Sequence, residues 1–181
     1  MFTAIDGLTF VKDFLKPTQQ QGLIDWIDAL PVDQWSEIRF RGVVAKRRMI
    51  CFGWDYVTTS RSLRPAPPMP SILRTLRDDA GARVGLTGMD DFEQLILIRY
   101  PPGAGIGAHI DAPVFGSPVL IVSLGGDGRL RFSRRDHEKQ TLALPSGSLV
   151  VLDGESRYQW LHQLMPVKAR RHSITFRRLK G

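Results

Sequence analysis

The sequence predicts an α+β fold, with helices first and a double-sheet jelly-roll core after them. Two observations carry this. Helical spacing of apolar residues is confined to two segments before residue 92. Beyond that point, segments of strand length recur, separated by the turns Gly125-Gly126-Asp127-Gly128, Pro145-Ser146-Gly147 and Asp153-Gly154. Helices followed by short, evenly spaced strands fit a sheet core with helices packed on it.

Each element follows from local pattern. Pro17 and then Thr18-Gln19-Gln20-Gln21 read as a capping box that opens a helix. Leu23, Ile27 and Leu30 share one face of it, and Pro31 stops it. The run Arg64-Pro65-Ala66-Pro67-Pro68-Met69-Pro70 is a loop. A second helix is expected from Ser71 to Ala80, with Ile72, Leu73, Leu76 and Ala80 apolar and Gly81 at its end. The expected strands are Gln94–Tyr100, Val119–Leu124, Arg129–Phe132, Thr141–Leu144, Ser148–Leu152, Tyr158–His162 and Ser173–Arg178. No repeat, low-complexity tract or linker divides the chain. Its 181 residues fit one domain, 1–181, with helices and lid in 1–92 and the jelly roll in 93–181.

Composition narrows the function classes. A single cysteine, Cys51, excludes an internal disulfide and reads as a small buried residue. The first residues, Met1-Phe2-Thr3-Ala4-Ile5-Asp6, lack the basic flank and apolar run of a signal peptide. No apolar stretch approaches membrane-spanning length, so no membrane partner is expected. The expectation is a cytoplasmic monomer. The net charge of +7 is uneven. Residues 39–83 carry ten basic and three acidic groups, and 129–181 carry twelve and four. Residues 1–38 carry two and six, and 84–128 carry one and five. Basic segments flanking a site favour a polyanionic partner, and nucleic acid is the leading one.

Between those basic segments lies His109-Ile110-Asp111. Residues i and i+2 of a strand point to one face, so this imidazole and carboxylate can share a ligand. Two imidazoles and one carboxylate form the facial triad that holds Fe(II) and leaves positions open for a co-substrate and O2. His162 is the best third member. His137 lies among Arg134, Arg135, Asp136, Glu138 and Lys139, an exposed turn, and His172 faces away from Arg171 on its strand. Alternation places Arg171, Ser173, Thr175 and Arg177 on one face and His172, Ile174 and Phe176 on the other. Guanidinium groups pair with carboxylates in a rigid fork, which suits a small dianion such as 2-oxoglutarate. An extended strand sets Arg171 and Arg177 about 20 Å apart. One is therefore expected at the distal carboxylate and the other nearer the metal.

These strings resemble the AlkB family of Fe(II)- and 2-oxoglutarate-dependent dioxygenases over about residues 40–180. The matching segments are Leu97-Ile98-Arg99-Tyr100-Pro101-Pro102-Gly103, His109-Ile110-Asp111, Ser123-Leu124-Gly125, Gly154-Glu155-Ser156-Arg157-Tyr158 with His162, and Arg171-His172-Ser173-Ile174-Thr175-Phe176-Arg177. The resemblance implies a double-stranded β-helix, iron on His109, Asp111 and His162, and 2-oxoglutarate near Tyr100, Arg171, Ser173, Thr175 and Arg177. It also implies oxidative dealkylation of modified bases in DNA or RNA. The stretch from Gly154 to His162 is similar to the members that hydroxylate a modified wobble uridine in tRNA. Three positions depart from the family pattern. Ile98 and Ser173 stand where asparagines are usual, and Pro113 stands where the bacterial repair enzyme has a second acid.

A substrate lid is expected over Arg39–Tyr56, where Arg39, Arg41, Lys46, Arg47 and Arg48 precede Phe52, Trp54 and Tyr56. Basic groups beside aromatics suit phosphate contact and base stacking. Arg47, Arg48, Trp54, Tyr56 and, two residues before His162, Trp160 are the candidate substrate contacts. Two other classes stay open at this point: hydroxylation of a protein or small molecule, and a non-catalytic nucleic-acid-binding module.

Overall fold

The structure, a computed structural model, describes residues 4–40 and 42–180; the lid residue Arg41 lies outside the described residues. Strand β1 (Leu8–Val11) leads into helix α1 (Pro17–Asp28). The cap lies two residues earlier than the sequence pattern suggests. Pro17 occupies the first helical position, where its missing N–H is no loss. The preceding Lys16 N–H donates to Gln19 Oε1 at 2.9 Å. Leu23 and Ile27 form the buried face.

The basic segment forms strands β2 (Ser36–Phe40), β3 (Val43–Phe52), β4 (Trp54–Val57) and β5 (Ser62–Pro65). Helix α2 (Ser71–Arg83) runs past its expected end and through Gly81. A side chain at that glycine would meet Met89 Sδ at 2.2 Å, so Gly81 serves close packing rather than termination. Among the described residues no helix is long and apolar enough to cross a membrane.

The remaining elements are β6 (Gln94–Tyr100), β7 (Ile106–His109), β8 (Val119–Gly125), β9 (Gly128–Ser133), β10 (Gln140–Leu144), β11 (Leu149–Leu152), α3 (Gly154–Tyr158), β12 (Leu161–Leu164) and β13 (Arg171–Arg177). The strand expected over Tyr158–His162 is therefore replaced by a helical turn and a later strand. Asp153 caps that turn: its Oδ1 accepts from Gly154 N–H at 2.8 Å, and its own N–H donates to Ser156 Oγ at 3.0 Å.

The strands make two large antiparallel sheets. One has the order β1-β11-β8-β13-β6-β3-β2 and the other β10-β9-β12-β7. The outer face of the first sheet packs Ile50, Phe52, Leu95, Leu97, Ile174 and Phe176 against Leu23, Ile27, Leu73 and Leu76 of the two long helices. Between the sheets, Val119, Val150 and Leu152 meet Leu130, Phe132 and Leu144. This jelly-roll arrangement bears out the expected fold. Strand β13 is central, paired with β6 on one side and β8 on the other.

A polar clamp ties α1 to the outer face. Arg99 lies 4.0 Å over the Trp35 ring and donates to His172 Nε2 at 3.3 Å, Ile27 O at 3.2 Å and Asp28 Oδ1 at 3.4 Å. Burial, and then the charge of Arg99, pushes the His172 pKa down to about 4. The folded state thus binds a proton here less readily than the unfolded chain, whose histidine titrates near 6.5. Stability from this group is complete above pH 6.5 and declines as pH falls toward about 4. Denaturant midpoints measured across that window should fall, and less steeply in His172→Gln; equal slopes would remove His172 from the account.

Candidate metal centre

Strands β7 and β12 pair so that His109 and His162 are direct register partners. Their ring centroids are 4.4 Å apart. The chain turns after His109 and brings Asp111 back to them, with its Oδ2 3.7 Å from His162 Nε2. One ligand atom from each of the three residues lies within 4.8 Å of the others. His109 Nδ1 contacts Gly107 O at 2.8 Å. A carbonyl only accepts, so Nδ1 carries the proton and Nε2 is free to ligate.

The charge states suit a cation. Burial, and then the neighbouring His109, lowers the His162 pKa to about 4, which keeps the imidazole neutral. Burial alone would raise the Asp111 pKa, but Arg177, His162 and Arg157 outweigh it and hold the carboxyl below its ordinary range. Arg177 Nη1 donates to Asp111 Oδ1 at 2.9 Å, between side chains 11% and 9% exposed. That leaves Oδ2 facing the histidines. Hard and borderline donors of this kind fit Fe(II).

The loop that carries Asp111 is fixed from beneath. Arg157 of α3 is wholly buried and donates to Asp111 O at 3.3 Å, Ala112 O at 3.2 Å and Phe115 O at 2.8 Å. No pattern in the sequence signals this role, because an arginine is almost never fully buried.

A cavity of about 460 Å³ runs from this cluster between the sheets. Tyr100, Arg171, Ser173, Thr175 and Arg177 all line it, as the alternation of β13 predicts. At its far end Arg171 is buried, 5.5 Å over the Tyr100 ring, with Nε donating to Ser123 Oγ at 3.2 Å. Among the described residues no carboxylate pairs with it. A buried guanidinium without a counter-charge is costly, so this end of the cavity requires an anion. Its geometry fits the carboxylate of 2-oxoglutarate. Ile98 and Ser173, two of the departures from the family pattern, are register partners on this wall.

The lid residues divide. Alternation turns Arg47, Met49 and Cys51 toward the cavity and Ile50 and Phe52 toward the helices. Arg47 lines the cavity and donates to Gly105 O at 3.2 Å. Arg48, expected beside it as a substrate contact, is on the other face and pairs with Glu37 at 3.0 Å. Spacing suggests that Phe52, Trp54 and Tyr56 share a face, but Gly53 (φ 73°) breaks the strand between them. Tyr56 then lines the cavity, edge-on to Phe115 at 5.9 Å, whereas Trp54 stays outside it. Trp160 packs in the inter-sheet core, with the His137 ring at 5.1 Å, and does not line the cavity. Cys51 does line it; burial, and then Asp55, pushes its pKa up to about 12, so the thiol stays protonated.

Residues 7–178 match the 2OG-Fe(II) oxygenase superfamily. The chain belongs to this superfamily. It is an oxidative enzyme, and the group to which it belongs uses Fe(II), 2-oxoglutarate and O2. Its relatives include AlkB homologues. The tRNA (carboxymethyluridine(34)-5-O)-methyltransferase alkbh8 of Xenopus tropicalis is 29% identical over 166 residues, 90% of this chain and 26% of that protein. The DNA oxidative demethylase ALKBH2 of Mus musculus is 32% identical over 146 residues, 70% of this chain and 58% of that protein. The chain thus spans about a quarter of the first and just over half of the second. Among solved structures, OsALKBH1 superposes with a TM-score of 0.78 at 19% identity, covering 98% of this chain and 100% of that one.

Because Arg157 positions the metal-side loop without touching the ligand atoms, Arg157→Lys should weaken Fe(II) binding. Supporting residues of this kind are worth about tenfold to a hundredfold in metal affinity. Titration of the apo-protein with Fe(II) in the absence of O2 measures it, and wild-type affinity would show that the loop holds itself.

Proposed function

We propose that this oxygenase oxidises an alkyl group on a base of a nucleic acid. The carrying observation is the cavity itself, with a His-Asp-His cluster at one end and the unpaired, buried Arg171 at the other. In this reading His109, Asp111 and His162 hold Fe(II). Arg171 receives the distal carboxylate of 2-oxoglutarate, with the Tyr100 hydroxyl and the small polar Ser173 and Thr175 beside it. Iron with 2-oxoglutarate and O2 supplies a two-electron oxidation that places oxygen on a C–H carbon of the substrate and yields succinate and CO2. Arg177 keeps Asp111 ionised and aimed, and the apolar walls Ile96, Ile98 and Met49 exclude water around the co-substrate. Tyr56 offers a stacking surface and Arg47 a cation on the substrate side. An alkyl carbon bonded to nitrogen is lost as an aldehyde after such oxidation, whereas one bonded to carbon keeps the hydroxyl.

The names of the relatives and the basic segments flanking the site support nucleic acid as the substrate. A modified tRNA base is the second reading. It is favoured by the alignment with alkbh8 along 90% of the chain, against 70% for ALKBH2. Succinate formation with DNA and RNA oligonucleotides, each carrying one alkylated base, tests both. Stimulation by one class of oligonucleotide is the expected result. Stimulation by proline-containing peptides or small molecules alone would reject a nucleic-acid substrate.

Arg171→Ala should weaken 2-oxoglutarate binding about tenfold to a hundredfold, the worth of a charge-assisted hydrogen-bonded pair. Calorimetry on the iron-loaded protein without O2 reads this directly. Unchanged affinity would move the co-substrate away from Arg171.

A further inference from the structure

Gln94 is a buried polar group of the cavity that no role above absorbs. It opens β6, is 1% exposed and lines the cavity. Its Oε1 has no hydrogen-bond partner in the protein. Its register partner on β13 is Arg177, which holds the metal-side carboxylate of Asp111. Gln94 therefore sits one strand away from the metal cluster, at the end of β6 opposite Tyr100 and hence away from Arg171.

The lid is built to cross at this point. A side chain on Gly53 would meet Glu93 O at 1.8 Å, so only glycine lets the chain pass against the Glu93–Gln94 backbone. That crossing leads β4 to the cavity and sets Asp55 and Tyr56 on its wall. Asp55 already has partners: its Oδ2 accepts from Arg64 Nε at 2.8 Å and Nη2 at 2.6 Å, and the Cys51 thiol hydrogen-bonds to it. Arg177, the neighbour of Gln94 on β13, is held by Asp111 through Nη1, while the Arg177 Nε is itself buried without a partner. Gln94 is left with a buried, unsatisfied acceptor in the wall of the cavity that also holds the His-Asp-His cluster. Buried polar atoms without partners are rare and call for a reason.

We infer that Gln94 is a specificity-determining residue whose Oε1 accepts an N–H from the base held beside the metal centre. This rests on the nucleic-acid reading and deepens it: the substrate is an alkylated base that still presents a hydrogen-bond donor on its edge. A base whose edge nitrogens are all alkylated leaves Oε1 unpaired and is rejected, since a site built around a buried polar group discriminates against a ligand that cannot satisfy it.

The test reads binding, not turnover, with protein loaded with Fe(II) and 2-oxoglutarate in the absence of O2. The probes are short single-stranded DNAs and RNAs with one central 1-methyladenine, 3-methylcytosine or 5-methyluracil, each paired with a counterpart in which the remaining edge N–H groups are methylated. Wild type should prefer the N–H probe over its counterpart by about threefold to tenfold for 5-methyluracil, the span of one hydrogen bond between neutral groups, and by more for 1-methyladenine and 3-methylcytosine, which are cations. Gln94→Met should abolish that preference while the thermal midpoint is held or raised, because an unsatisfied buried acceptor has been removed. Gln94→Ala deletes the acceptor without added bulk and should read the same. A preference that survives both substitutions, or a wild type that binds both members of each pair equally, overturns the assignment and leaves the nucleic-acid reading standing. A wild type that binds none of the probes overturns that reading and the assignment with it.

Discussion

Three guanidinium groups lie buried or nearly so around a cavity whose metal end holds one largely buried carboxylate. Arg157 is neutralised in part by three carbonyl oxygens, and Arg177 by Asp111. Arg171 has a serine hydroxyl and the face of Tyr100. Taking a cation out of water without a counter-charge costs several kcal/mol, so the protein holds an unfavourable charge in its centre. The apolar outer face of the same sheet offsets it. Ile174 and Phe176, fully buried and directly behind this row of polar residues, anchor β13 to the two helices. In the proposed reading a dianionic co-substrate would relieve the imbalance at the Arg171 end, and a divalent metal beside Asp111 and two neutral imidazoles would use the negative charge at the other.

One strand carries most of this division of labour. In β13 every second residue is polar and faces the other sheet, while the residues between are buried against the helices. A one-residue slip would exchange the two sets and bury Arg171 among leucines. Hydrogen bonding on both edges, to β6 and β8, prevents it. The length of the strand also resolves the separation of its two arginines. They never compete for one ligand: Arg177 reaches the metal-side aspartate and Arg171 reaches Tyr100.

What the sequence made legible was periodic. The bounds of β6 follow from its apolar run, and the faces of β13 follow from a period of two. The His-Asp-His cluster follows from an i, i+2 pair and the scarcity of histidines. What stayed hidden depends on partners far along the chain. The caps of α3 convert a predicted strand into a turn of helix, and only tertiary contact with the Asp111 loop explains why Arg157 is there. Arg47 and Arg48 are alike in sequence, yet pairing of β3 with β6 sends one to the cavity and the other to Glu37. Gly53 shows the same limit. A single left-handed residue decides which of three aromatics meets the cavity, and spacing alone does not reveal it.

The same pairing changes what the basic composition means. Residues 39–83 carry a formal excess of seven positive charges, but several of those charges already have partners. Arg39 and Arg48 share Glu37 at 3.0 Å each, Arg64 binds Asp55, and Arg77 lies between Asp78 and Asp90 at 2.8 Å. Such pairs are not equivalent. Those of Arg39 and Arg48 with Glu37 are exposed and worth about 0–1 kcal/mol, so a phosphate can take either arginine at little cost. The Asp55 carboxylate is largely covered, and drawing Arg64 away would leave it facing the Cys51 thiol with its main counter-charge gone. Of the paired cations of this segment, Arg39 and Arg48 are therefore the ones a polyanion can take most readily. Arg64 and Arg77 belong to the structure that holds the lid and α2 in place. The formal excess of the segment thus overstates the charge that a polyanion can meet, because part of it is committed to the fold.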